Sequence, residues 1–149
     1  MSSSWIERWR LVAVAAVAVI APACGQGDGS SPGPSITDPE LGGGYRLSAL
    51  EVGGAAVTIN DPVEVDLDAE FGGLRIETAC GVLLGAFTLR PDGGAGFTVA
   101  GGSTQLCPAG AADQQEALIE ALGRIDGWMT STSGIDLASP VGDRLSLSR

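Results

Sequence analysis

Glu64, Asp66 and Asp68 recur at every second position in a stretch reading V-E-V-D-L-D. In an extended chain such residues share one face, with neighbours roughly 6.7 Å apart. Two chemistries use that spacing. A pair of carboxyl groups can act as acid and base on a glycosidic bond, and several carboxylates with backbone oxygens can hold calcium. The apolar residues Val63, Val65 and Leu67 alternate with them and must point the other way. The acidic face then looks to solvent, where a charge run is an ordinary solvated surface. We read these residues as surface, and assign no catalytic residue, no metal ligand and no cofactor.

Composition excludes much of the remaining chemistry. The chain has 149 residues, enough for one domain, and contains no His. That removes the Ser-His-Asp triad, the Cys-His dyad and every His-based zinc site. All 8 basic residues are Arg, so Lys nucleophiles, Schiff bases and P-loops are absent too. The glycines at 42–44 and 93–96 do not form the G-x-G-x-x-G pattern before a helix, so no phosphate cradle is expected. With 18 acidic residues and a net charge of −10, the chain lacks the basic clusters that nucleic acid requires. Its mean hydropathy of +0.24 is too apolar for a disordered acidic chain.

The N-terminus reads as an address. Arg8 and Arg10 precede an apolar run over 11–23 that is too short to span a bilayer, which takes about 20 apolar residues. It fits the core of a secretory signal peptide. The run Ile20-Ala21-Pro22-Ala23-Cys24 resembles a bacterial lipobox, with Ala21 where a Leu is usual. The resemblance implies that Cys24 takes a thioether-linked diacylglycerol and becomes the mature N-terminus. The other reading is an ordinary signal peptide cleaved after Ala23. Two acyl chains give a stable anchor, each buried CH₂ contributing about 0.8 kcal/mol. The acidic chain would be repelled by an anionic lipid surface, so the lipid must do the anchoring. Residues 25–42 are Gly, Ser, Pro and Asp with little to bury, and read as a flexible tether with a reach on the order of 24 Å. The expected organisation is a signal peptide at 1–23, a lipidated Cys24 and tether over 24–42, and one folded domain over 43–149.

Within that domain, alternation predicts strands over 45–52, 63–67, 74–77 and 96–100, and a short edge strand over 55–59. The stretch 82–89 is apolar on both faces, as a central strand would be. One helix is predicted, opened by a D-x-x-E cap at Asp113 and Glu116, carried by Leu118, Ile119, Leu122 and Ile125, and ended by Gly127. Short strands close the chain at 128–133, 135–137 and 144–147. Trp128 is expected in the core or at its rim. Strands, one helix and strands again make an α+β domain dominated by antiparallel sheet.

If Cys24 carries lipid, Cys80 and Cys107 are the only pair left. An exported chain meets an oxidising compartment, so a disulfide is the default. Closing the 27-residue loop stabilises by roughly 3.5 kcal/mol in the chain-entropy model. A thiolate metal site or a redox pair is the alternative, and the absence of C-x-x-C spacing argues against both.

The run Cys80-Gly81-Val82-Leu83-Leu84-Gly85-Ala86-Phe87 resembles the central motif of the META domain, the HslJ-like envelope proteins. That motif reads G-C-N, three residues, Gly, one residue and an aromatic. Cys80, Gly85 and Phe87 match, while Ala79 and Gly81 depart from it. Ser103 before Cys107-Pro108 is similar to the family's second motif, where Thr precedes Cys. Glu116 stands where the family has an early helical Glu, and Gly43-Gly44-Tyr45-Arg46-Leu47 resembles the opening G-x-W-x-L. The ending resembles the family's last pair of strands. The resemblance covers 43–149 and implies a buckled, half-barrel-like antiparallel sheet crossed by one α-helix, with no catalytic residues to carry over. The expected function is that of a non-enzymatic, lipid-anchored cell-envelope protein, stress- or resistance-related, monomeric, and outside the cytoplasm. It would be held to the bacterial membrane through Cys24 and would bind a protein or small ligand. The alternative is a carboxylate-based envelope hydrolase using the acidic residues of the sheet.

Overall fold

The computed structural model describes residues 39–149 other than Gln105. The leader expected at 1–23, Cys24 and the tether as far as residue 38 lie outside the described residues. The first described element is Pro39–Leu41, a single 3₁₀ turn ahead of Gly43. Leu41 is buried there, and the Tyr45 hydroxyl donates to its carbonyl at 2.8 Å.

Nine strands follow: β1 (Gly43–Val52), β2 (Ala55–Ala56), β3 (Glu64–Asp68), β4 (Gly73–Thr78), β5 (Gly81–Leu89), β6 (Ala95–Thr104), β7 (Gly127–Thr130), β8 (Gly134–Ala138) and β9 (Arg144–Ser148). The helix α1 (Ala111–Leu122) separates β6 from β7. All pairings are antiparallel, and the order across the sheet is β6-β5-β4-β3-β1-β9-β8-β7, with β2 paired to β1. The first strand thus sits in the middle of the sheet. The two ends curl toward each other and touch at one place. Gly94 bridges Gly127, the Trp128 N–H donates to the Gly93 carbonyl, and the Ala95 N–H donates to that of Asp126, each at 2.8 Å. The result is a half-barrel.

The alternating patterns explain which face is which. Along β3, Val65 and Leu67 are buried while Glu64, Asp66 and Asp68 are exposed. Leu74 and Ile76 of β4, Leu83 and Phe87 of β5, Ile135 and Leu137 of β8, and Leu145 and Leu147 of β9 join them in one core. Phe87 faces Phe97 across the β5–β6 pair, with stacked rings 6.2 Å apart. Leu118, Ala121 and Leu122 of α1 enter the same core. The α+β class with a predominantly antiparallel sheet is what the structure shows.

Three local expectations are corrected. The D-x-x-E pair does not cap the helix. It starts two residues before Asp113, after Gly110 in the left-handed conformation at φ 84°, with no side-chain cap. Asp113 instead lies inside the first turn, where a carboxylate favours the helix dipole. The helix ends at Leu122 with Gly123 as its cap, and Gly127 opens β7. Ile125 keeps the helical hydrophobic spacing because it is buried in the connecting turn. Lastly, β5 is next to the edge of the sheet rather than central, and its outward residue Leu84 is 54 % exposed.

Burial ranks the apolar positions. Leu118→Ala should lower the unfolding free energy by about 3 kcal/mol through lost burial and a cavity, since Leu118 is 0 % exposed. Leu84→Ala should cost about 0.5 kcal/mol or less. Urea unfolding of the full chain, followed by circular dichroism, checks both.

Candidate functional site

The acidic face of β3 lies on the outside of the half-barrel, and its neighbours come from strands far apart in sequence. Arg46 of β1 stands opposite Glu64, which stands opposite Glu77 of β4, while Asp66 stands opposite Arg75. The Arg46 and Glu64 side chains approach to 3.8 Å, and Arg75 pairs with Glu77. These groups line an open groove of about 550 Å³, with Arg149 at one side. Three guanidinium groups (Arg46, Arg75, Arg149) and three carboxylates (Glu64, Asp66, Glu77) line it together. Arg46 and Glu64 remain 68 % and 62 % exposed, so their pairing contributes little to stability.

Each sequence-derived candidate has a place. Glu64 and Asp66 belong to this ladder. Asp68 does other work: its Oδ1 accepts from the N–H groups of Glu70 and Phe71 at 3.0 and 3.1 Å and so shapes the β3–β4 turn. The three carboxylates therefore do not converge on one point. Among the described residues, no group of three or more His, Cys, Asp or Glu side chains is arranged to hold a metal ion. Glu64 is open to water, with the Arg46 guanidinium beside it. Cys80 and Cys107 form a disulfide, with Cα atoms 4.5 Å apart. Cys24 lies outside the described residues.

Sequence reasoning passed over the buried polar groups. Asp143 is 0 % exposed, in the turn between β8 and β9. Its Oδ1 accepts from Nη2 of Arg124 and from the Gly53 N–H, and its Oδ2 from Nε of Arg124 and the Ser139 hydroxyl, all at 2.8 Å. The Arg124 guanidinium, helped by the Gly53 N–H and the Ser139 hydroxyl, holds the Asp143 carboxyl down at about 2, although burial works the other way. Asp143 and then Glu120 push Arg124 upward. Gln114 is the other buried polar residue. Its Oε1 accepts from Asn60 and Asp61 N–H at 2.8 and 3.3 Å, and its Nε2 donates to the Asp61 carbonyl at 2.9 Å. Among the described residues, no buried side-chain polar atom lacks a partner. The only hint to Asp143 in the sequence is the turn composition Ser139-Pro-Val-Gly-Asp143.

Neither a family model nor a curated protein matches the sequence. Two solved structures resemble the fold. One is the NMR structure of a protein from Burkholderia xenovorans, 22 % identical, with a TM-score of 0.60, covering 74 % of this chain and 83 % of that one. The other is the crystal structure of a duf4847 family protein from Bacteroides vulgatus ATCC 8482, 9 % identical, with a TM-score of 0.51, covering 72 % of this chain and 92 % of that one. At these identities the likeness concerns the fold alone. No helix among the described residues is long and apolar enough to cross a membrane.

The Asp143 network sets an acid limit. The folded carboxyl titrates near 2 and the unfolded one near its ordinary 3.8, so the unfolded chain binds more protons between those values. The contribution is complete above the unfolded value and is lost as pH falls through the folded one. Thermal melting at stepped pH should show stability falling across this window, and Asp143→Asn should remove that component of the slope while lowering the melting temperature by several degrees at pH 7. From about pH 6 to pH 8 stability should stay nearly flat, because the chain has no His.

Proposed function

We propose that this chain is a lipid-anchored, non-enzymatic protein of the bacterial cell envelope, of the META type, which presents the outer face of its sheet to a protein or small ligand. The observation that carries the reading is the Cys80–Cys107 disulfide. A disulfide belongs to an oxidising compartment, in line with the signal-like run over 11–23. It also occupies two of the three cysteines, leaving Cys24, directly after Ala23, for the lipid. In this reading the Gly-, Ser- and Pro-rich stretch 25–42 would be the tether between lipid and domain.

The residues that resemble META motifs have packing roles here, which favours a binding protein over an enzyme. Phe87 and Tyr45 are buried at 3 % and 4 % exposure. A Cβ on Gly85 would strike the Thr98 carbonyl oxygen, so only glycine fits between β5 and β6. In this reading α1 crosses the open side of the half-barrel. Its early residue Gln114 is tied to Asn60 and Asp61, and Arg124, just beyond its end, is tied to Asp143.

Cys24→Ala tests the anchor. The substitution should release the protein from the membrane fraction or leave the precursor uncleaved. Unchanged fractionation together with unchanged processing would overturn the lipoprotein reading. The groove is tested separately: Arg46→Ala with Arg75→Ala should abolish capture of a partner cross-linked to the anchored wild type, without altering the melting temperature by more than a degree or two.

A further inference from the structure

The two halves of the disulfide meet different surroundings. Cys80 is 1 % exposed, at the turn joining β4 to β5, where its N–H donates to Thr78 Oγ1 at 3.1 Å. Cys107 is exposed, within the exposed segment 106–110 that leads into α1, and its neighbour Leu106 is 99 % exposed. Cys107 also lines an open hollow of about 350 Å³ together with Gln115, Glu116, Ile119 and Glu120 of α1. The hollow is lined by Cys107 and not by Cys80.

The helix beside it is fastened without the disulfide. Gln114 holds Asn60 and Asp61, Thr78 Oγ1 donates to Gln115 Oε1 at 2.6 Å, and Arg124 holds Asp143. Leu118, Ala121 and Leu122 are in the core. Opening the disulfide would therefore free the segment ahead of the helix and leave the helix seated.

We propose that Cys107 is a site of thiol–disulfide exchange, entered from this hollow, and that the carboxylates at its rim select cationic thiols over anionic ones. The incoming thiolate forms a new S–S bond with Sγ of Cys107. The bond to Cys80 breaks, and its electron pair leaves on Sγ of Cys80, which takes a proton from water. A second thiolate attacks the mixed disulfide, releasing the oxidised thiol dimer and leaving Cys107 as a thiol. Two equivalents of the thiol are oxidised as one protein disulfide is reduced. Glu120 shares its charge with Arg124 at 2.6 Å, so Glu116 dominates the selection. The hollow is open to solvent, and the selection must weaken with salt.

The test uses the full chain in native buffer at low ionic strength, treated with cysteamine or with 2-mercaptoethanesulfonate and trapped with iodoacetamide. Peptide mass mapping should place the thiol adduct on Cys107 and the alkyl label on Cys80, with the helical dichroism retained. Per unit of thiolate, and relative to the same two thiols' rates on an uncharged small-molecule disulfide, cysteamine should react about fivefold faster, from one unit charge at roughly 8 Å in a water-like medium. The ratio should approach one in 0.5 M salt (about a 4 Å screening length) and fall in Glu116→Gln. An adduct formed first on Cys80, equal relative rates for the two thiols at low salt, or exchange only at the rate of global unfolding in urea would each overturn the proposal.

Discussion

The carboxylate of Asp143 accepts four hydrogen bonds from three separate parts of the chain. Arg124 brings the end of the helix, Gly53 the turn between β1 and β2, and Ser139 the start of the β8–β9 turn. A buried charge is tolerated only when paired and fully hydrogen-bonded, so this carboxylate ties the three segments to one another. That requirement fixes the helix relative to the middle of the sheet, where β1 and β9 lie side by side. Leu118, Ala121 and Leu122 of α1 pack into the same apolar core as the strands, so the Asp143 network and the core hold the helix together.

How much of this could be read from the sequence follows from the range of the interactions involved. The faces of β3 and β4 were legible because alternation is a local signal with a period of two. The helix was legible as an element but not at its ends. Gly110 starts it through a left-handed backbone, and no side-chain pattern announces that choice. Glu64 and Asp66 were legible as exposed acids, but their partners Arg46, Glu77 and Arg75 depend on the strand order, which places β1 and β4 on either side of β3. Asp143 was not legible at all. Its partner Arg124 lies 19 residues away, and an Asp in a Pro-Gly turn is ordinarily a solvated turn former. The disulfide was legible only once Cys24 had been assigned elsewhere.

The motif residues give a second view of the same division. Cys80, Gly85 and Phe87 lie along β5 and its entry turn, one tied to the α1 side, one forced by close backbone approach and one filling the core. Each of these positions answers a packing demand of the curled β5–β6 hairpin. The register shift between Leu84 and Gly85 marks where that hairpin bends. The architecture itself is shared by two solved structures at 22 % and 9 % identity.

The two faces of the sheet differ in what they would offer a ligand. The concave side is filled by the core, and the buried polar groups among the described residues are all satisfied. A ligand entering there would have to displace packed Leu and Ile side chains or break a paired charge. The outer face carries no such penalty. Across β1, β3 and β4 it presents cations and anions in register, held by the sheet rather than by long loops. Their pairs are exposed and weak, so exchanging one for a contact with a partner costs little. On the proposed reading, these loosely paired charges would select a partner by the sign of its own charges.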